Sequence, residues 1–430
     1  MHADGVAWLT ATEIAEAVRA GRLDRQDVVD CHLDRIRRLD PRLAAFVHVS
    51  EAASAGGGPL GAVTIGVKDT QPVAGMPWTY GSRKWRHRIA EFDAIVVANA
   101  RAAGAAMVGK TNTPELAASV GTVNELFPPT QNPWKAAWTP GGSSGGSGAA
   151  VAAGLCTIAF GDDMGGSIRI PASCCGVAGL RPSPDVVPTE VPSPIRLSCR
   201  GPLARSVADL RLGLAVMAGQ TSPVRTRPRG LRIAVVRKTT VAVDPACAAA
   251  CERAAEALET AGHRLESAGW DPIPVAHAYQ VVRPVSVSNM PGEPSEYGEA
   301  AGRLIAQGRA ISVQRYLDAF AGGLSSARLL HRILEDHSAI LTPTLGRLPM
   351  PIREVPAFLQ AEWCEYTQFV LPVSFAGLPA VSVPAGLHDG LLPVGVQLVG
   401  HYRQEWELLE LAEQLESAPG FGFERPPGWD

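Results

Sequence analysis

Two clusters of serine and glycine lie close together between Thr139 and Pro171, in the stretch TPGGSSGGSGAAVAAGLCTIAFGDDMGGSIRIP. Serine hydroxyls among glycines suit acyl transfer. The hydroxyl supplies a nucleophile, and backbone amides without side-chain cover form a pocket for the developing oxyanion. A flexible linker has similar composition, but these clusters flank the apolar segments AAVAAGL and CTIAF, which read as buried. A phosphate-binding loop needs lysine directly after its last glycine; Ser147 follows Gly146, so that chemistry is excluded. Gly141-Gly142-Ser143-Ser144-Gly145 fits the loose G-x-S-x-G elbow, yet the preceding QNPWKAAWTP is too rich in proline and charge for the buried strand that an elbow follows.

The wider composition narrows the function classes. The chain has 430 residues, 46% hydrophobic and 19% charged, with a formal charge of −3. That is ordinary globular composition, with no electrostatic case for nucleic acid or an anionic membrane surface. No run reaches the length of a membrane span, and MHADGVAWLT lacks the features of a secretory signal. The eight cysteines show neither zinc-ligand spacing nor a disulfide framework. Cys174-Cys175 and Cys247/Cys251 read as buried thiols. The expectation is a reduced, cytoplasmic protein with no metal and no cofactor.

Elements able to position the serines follow from periodicity. Thr10-x-x-Glu13 is a capping-box pattern with Ile14, Ala17 and Val18 facing inward. A second helix runs from about Asp24 to Leu39, with Val28, Val29, His32, Ile36 and Leu39 on one side; His32 reads as a core histidine. Residues 62–67 form a short buried strand that delivers Lys68 at its end. Helix, turn and strand follow in AIVVANARAAGAAMVGKT. Further strands are expected at Leu231 to Val236, AILTPTL, PAVSVPAGL and GVQLVG, with a helix from about Pro245 to Ala261. The alternation predicts an α/β fold. Residues 183–229 read as a surface crossing or boundary. Residues 270–337 are weakly periodic, with helices expected at about 295–307 and 313–334.

Taken with GVKD, VGKTNTPELA, CGVAGLRPS, GPLARSVADL and LPVGVQLVG, the GGSSGGS and GGSIRIP blocks resemble those of the amidase signature family of serine hydrolases. The resemblance covers most of the chain. It implies one α/β domain over 1–430, built on a single large mixed β-sheet covered on both faces by helices. Within it lie N-terminal helices at 10–40, a signature core at about 60–220 and a variable pocket region at about 270–370. It further implies a Ser-cis-Ser-Lys triad, with Ser167 as nucleophile, Ser143 as bridging serine after a cis Gly142–Ser143 peptide, and Lys68 as base. Amides of Met164, Gly165, Gly166 and Ser167 would bind the oxyanion, supported by Ser144, Asp163 and Arg169.

Lysine is a base only when neutral, and its free pKa is about 10.4. A place at the end of an apolar strand, away from carboxylates, would lower it by desolvation. Asp162 and Met164 depart from the family, where threonines are common. Trp78, Tyr80, Thr122, Phe127 and Trp363 are candidate pocket residues. The expected activity is hydrolysis of a small-molecule carboxamide through an acyl-enzyme, with a homodimer as an open possibility. An amidotransferase component of a tRNA-dependent complex and an amide-forming acyltransferase are the alternatives.

Overall fold

The computed structural model describes residues 3–190, 195–355 and 363–429. Its strands are β1 (Phe46–Val49), β2 (Thr64–Lys68), β3 (Ala106–Thr111), β4 (Ile158–Asp163), β5 (Ala178–Arg181), β6 (Cys199–Ala204), β7 (Arg232–Thr239), β8 (Arg264–Trp270), β9 (Ala339–Pro343), β10 (Ala380–His388) and β11 (Leu392–Val399). They form one 11-stranded sheet in the order β1-β3-β2-β4-β6-β5-β10-β11-β9-β7-β8. Parallel trios, β3-β2-β4 and β9-β7-β8, flank an antiparallel centre. The sheet is mixed.

Helices cover both faces because the central strands are apolar on both sides. Val63, Ile65, Val67, Ile158 and Phe160 pack on one face with Val96, Val97, Leu210 and Leu214. Ala106, Val108 and Ala159 pack on the other with Val29, Leu33 and the buried helix Gly145–Ala152. The serine-glycine segment therefore lies in the core. Among the described residues no helix is long and apolar enough to cross a membrane, and no group of His, Cys, Asp and Glu is arranged to hold a metal ion.

Local expectations fare unevenly. The capping box of Thr10 and Glu13 forms, and His32 is buried with its pKa lowered to about 4, chiefly by desolvation. The Lys68 strand begins at Thr64 instead of residue 62, because Ala62 has a φ of 76° and turns the chain. The presumed surface crossing at 183–229 contains β6, which lies between β4 and β5, and the helix Val207–Ala218. Pro202 disguises β6, since proline is unusual within a central strand. Residues 270–337 hold a further helix, Ile273–Val287, with Pro284 inside it. The next helix starts at Glu299, after a short turn opened by Pro294.

Candidate active site

Lys68 is the last residue of β2, held between parallel β3 and β4, and its side chain is fully buried. Its Nζ donates to Ser143 Oγ at 2.7 Å and to Asp162 Oδ1 at 2.6 Å. The Asp162 side chain is 19% exposed, and its other oxygen accepts from Thr70 Oγ1. The lysine is thus not away from carboxylates, as its sequence setting suggested. In the parallel pairing Val67 lies opposite Phe160, so β2 and β4 end at the same rim. The signal was present in IAFGDD, an apolar strand closing on charge beside a strand closing on lysine.

Burial pulls the Lys68 pKa down, the charge and hydrogen bond of Asp162 and then the charge of Asp163 push it back up, and Arg283 pulls it down. The net shift is downward.

Ser143 follows a cis Gly142–Ser143 peptide. Ser144 stands at the N-cap position of Gly145–Ala152; its N–H donates to the Ser167 carbonyl at 3.1 Å and its Oγ to the Asp162 carbonyl at 3.3 Å. Ser147 instead bonds Thr111 Oγ1 at 2.7 Å. The two serine clusters are therefore joined through the backbone. Ser167 is half-buried, and among the described residues its hydroxyl bonds neither Ser143 nor any other protein group. Lys68 and Ser143 are brought into contact, while the hydroxyl link from Ser143 to Ser167 is not made.

The presumed oxyanion segment is only partly free. The Gly166 N–H is committed to Asp163 Oδ1 at 2.8 Å, which removes it from the expected set of four donors. The Met164, Gly165 and Ser167 amides have no protein acceptor among the described residues. Gly165 is required sterically: a Cβ there would stand 2.7 Å from the Tyr279 phenol oxygen. Gly166 has a φ of 111°, which a side chain would strain.

Asp163 belongs to a separate buried cluster. Arg169 grips both carboxylate oxygens, at 2.9 and 3.0 Å, and Arg181 approaches Oδ1 at 3.3 Å. Burial pushes this carboxyl upward, but Arg169, Arg181 and the Gly166 amide outweigh it and hold Asp163 well below the usual carboxylate range. Arg169 continues to Gln397 Oε1 at 2.7 Å and Ser374 Oγ at 2.9 Å. Asp69, next to Lys68 in sequence, pairs with Lys110 at 3.1 Å.

Candidate pocket residues separate. Trp78 Nε1 donates to the Thr70 carbonyl at 3.1 Å, placing the indole beside the Asp162 partner. Its ring meets Tyr80 at 5.9 Å, and Tyr80 meets Trp85 at 5.7 Å. Burial, then Asp162, pushes the Tyr80 phenol up to about 12. Thr122 is a buried backbone support that donates to the Gly141 carbonyl at 2.8 Å. Phe127 is half-buried in a loop where its N–H donates to Asn124 Oδ1 at 2.7 Å. The Trp363 side chain lies outside the described residues. Sequence reading missed Thr70, which bonds Asp162, Trp85, which packs on Tyr80, and Tyr279, which the helix Ile273–Val287 brings beside Gly165.

The chain matches the Amidase family over residues 27–409. It belongs to that family. This amidase-family chain is 34% identical to an indoleacetamide hydrolase of Bradyrhizobium diazoefficiens, covering 97% of the chain and 88% of the relative. It is 32% identical to a glutamyl-tRNA(Gln) amidotransferase subunit of Synechococcus sp. (strain CC9605), covering 97% and 98%. A solved structure of 6-aminohexanoate cyclic dimer hydrolase complexed with substrate superposes with a TM-score of 0.87 at 28% identity, covering 99% of this chain and 100% of that one. The likenesses to the two hydrolases support amide hydrolysis.

Proposed function

We propose that this chain hydrolyses a small-molecule carboxamide to a carboxylic acid and ammonia or an amine through an acyl-enzyme on Ser167. The observation that carries the reading is the buried contact of Lys68 Nζ with Ser143 Oγ, beside the backbone link from Ser144 to Ser167. Neutral Lys68 takes a proton from Ser143, which accepts one from Ser167 as Ser167 attacks the carbonyl. The Met164, Gly165 and Ser167 amides receive the oxyanion; one such donor is typically worth about 100-fold or more in rate. The relay returns its proton to the leaving amine, and water repeats the sequence to release the acid. The relay requires a hydroxyl link from Ser143 to Ser167 in addition to the Lys68–Ser143 contact.

The aromatic wall of Trp78, Tyr80 and Trp85 favours an aryl or medium-sized apolar acyl group. Likeness to the amidotransferase relative supports a second reading, in which ammonia passes to a partner protein. The test is a panel of amides and activated esters offered to the purified chain alone. Turnover by the intact chain, abolished in Ser167→Ala, is expected. Lys68→Ala should lose amide activity more than ester activity, because activated esters need no protonated leaving group. Amide turnover by Ser167→Ala overturns the reading, and turnover only after a partner is added selects the second.

A further inference from the structure

Asp162 occupies an uncommon position for a carboxylate, within 2.6 Å of the amine that must become a base. One oxygen takes the lysine and the other takes Thr70 Oγ1, so the carboxylate is oriented at both ends. Its own backbone carbonyl accepts from Ser144, which in turn holds Ser167. Among the described residues no other carboxylate comes within ion-pair distance of Lys68 Nζ. We propose that Asp162 is a positioning residue that holds Lys68 on Ser143 and delays its conversion to a base, giving the reaction a more alkaline rising limb than a neutral residue at 162 would. The proposal rests on the triad reading above.

The surrounding charges make Asp162 the chief countercharge of Lys68. On its own strand, Asp163 also raises the Lys68 pKa, after Asp162, but its carboxylate is held by Arg169 and Arg181. From β6, Arg200 lies opposite Asp162 in register, but its guanidinium is bound by Glu190 at 2.5 Å. Asp69 is held by Lys110 at 3.1 Å. From Ile273–Val287, Arg283 opposes a charged Lys68, and Tyr80 from the loop after β2 stays a neutral phenol near Asp162. As pH rises, the ammonium–carboxylate pair releases one proton to water. It leaves a neutral amine beside a carboxylate, with the amine lone pair available to the Ser143 hydroxyl. A nearby opposite charge typically moves such a group by about 1–3 pH units.

The test is the pH profile of kcat/KM for an amide turned over by the full chain, with fluorophosphonate labelling of Ser167 as a parallel readout. Asp162→Asn and Asp162→Thr are expected to move the rising limb down by about 1–3 pH units and to lower the plateau, while Asp162→Glu returns the limb toward its original place. A limb that stays put in a folded Asn or Thr variant overturns the proposal. If neither variant folds, the unmodified chain decides: labelling should rise with pH, and a flat profile from about pH 6 to about pH 10 overturns it. Activity surviving in Ser167→Ala sinks the triad reading itself. An inactive Ser167→Ala with an unmoved limb sinks only the role of Asp162.

Discussion

Asp162 and Asp163 are sequence neighbours on β4 that enter two different charge clusters. Asp163 meets guanidiniums, which do not lose their protons in proteins, and all its partners are fully buried. Above the acid range that cluster keeps one charge state, and it ties Arg169 to Gln397 and Ser374. Asp162 meets an amine that can lose a proton, and it keeps 19% of its side chain open. Arginine makes the first cluster a fixed rivet; lysine makes the second titratable. The difference separates a pair of fixed charge from one whose charge can change with pH.

The largest stability effect is expected where the rivet is broken. Asp163→Asn leaves two buried guanidiniums without their countercharge and should cost about 3–5 kcal/mol in denaturant unfolding. The native carboxyl is held below its unfolded pKa of about 3.9, so its stabilisation is complete above that value and is lost as pH falls below it. Asp163→Asn should flatten that acid loss. Asp162→Asn should cost less, about 1–2 kcal/mol, because Lys68 can neutralise and the amide still accepts its hydrogen bond. Equal costs at 162 and 163 would break the comparison. Smallest is Arg303→Ala, which removes an exposed pair with Glu299 and should stay within about 0.5 kcal/mol.

The sequence disclosed much of the frame and some of the site. The strands expected at 62–67, 231–236 and PAVSVPAGL fall on β2, β7 and β10, because their cores are apolar and bounded by turns. The serine-glycine blocks stood out as candidates, and glycine at 165 and 166 proves to have steric and conformational reasons that the sequence showed only as spacing. What stayed hidden was pairing between distant strands. Lys68 meets Asp162 through strand register across 94 positions, and Gly166 loses its amide to Asp163 through a turn. The helix Ile273–Val287 escaped notice because Pro284 interrupts its pattern, so Tyr279 went unseen as the neighbour of Gly165.

The decisive measurement is peptide mapping after a brief reaction of the intact chain with an activated aryl ester, quenched in acid. One acyl group on Ser167, absent from Ser167→Ala, is the predicted result. Acyl groups on Ser143 or Ser144 instead, or continued turnover by Ser167→Ala, would contradict the account.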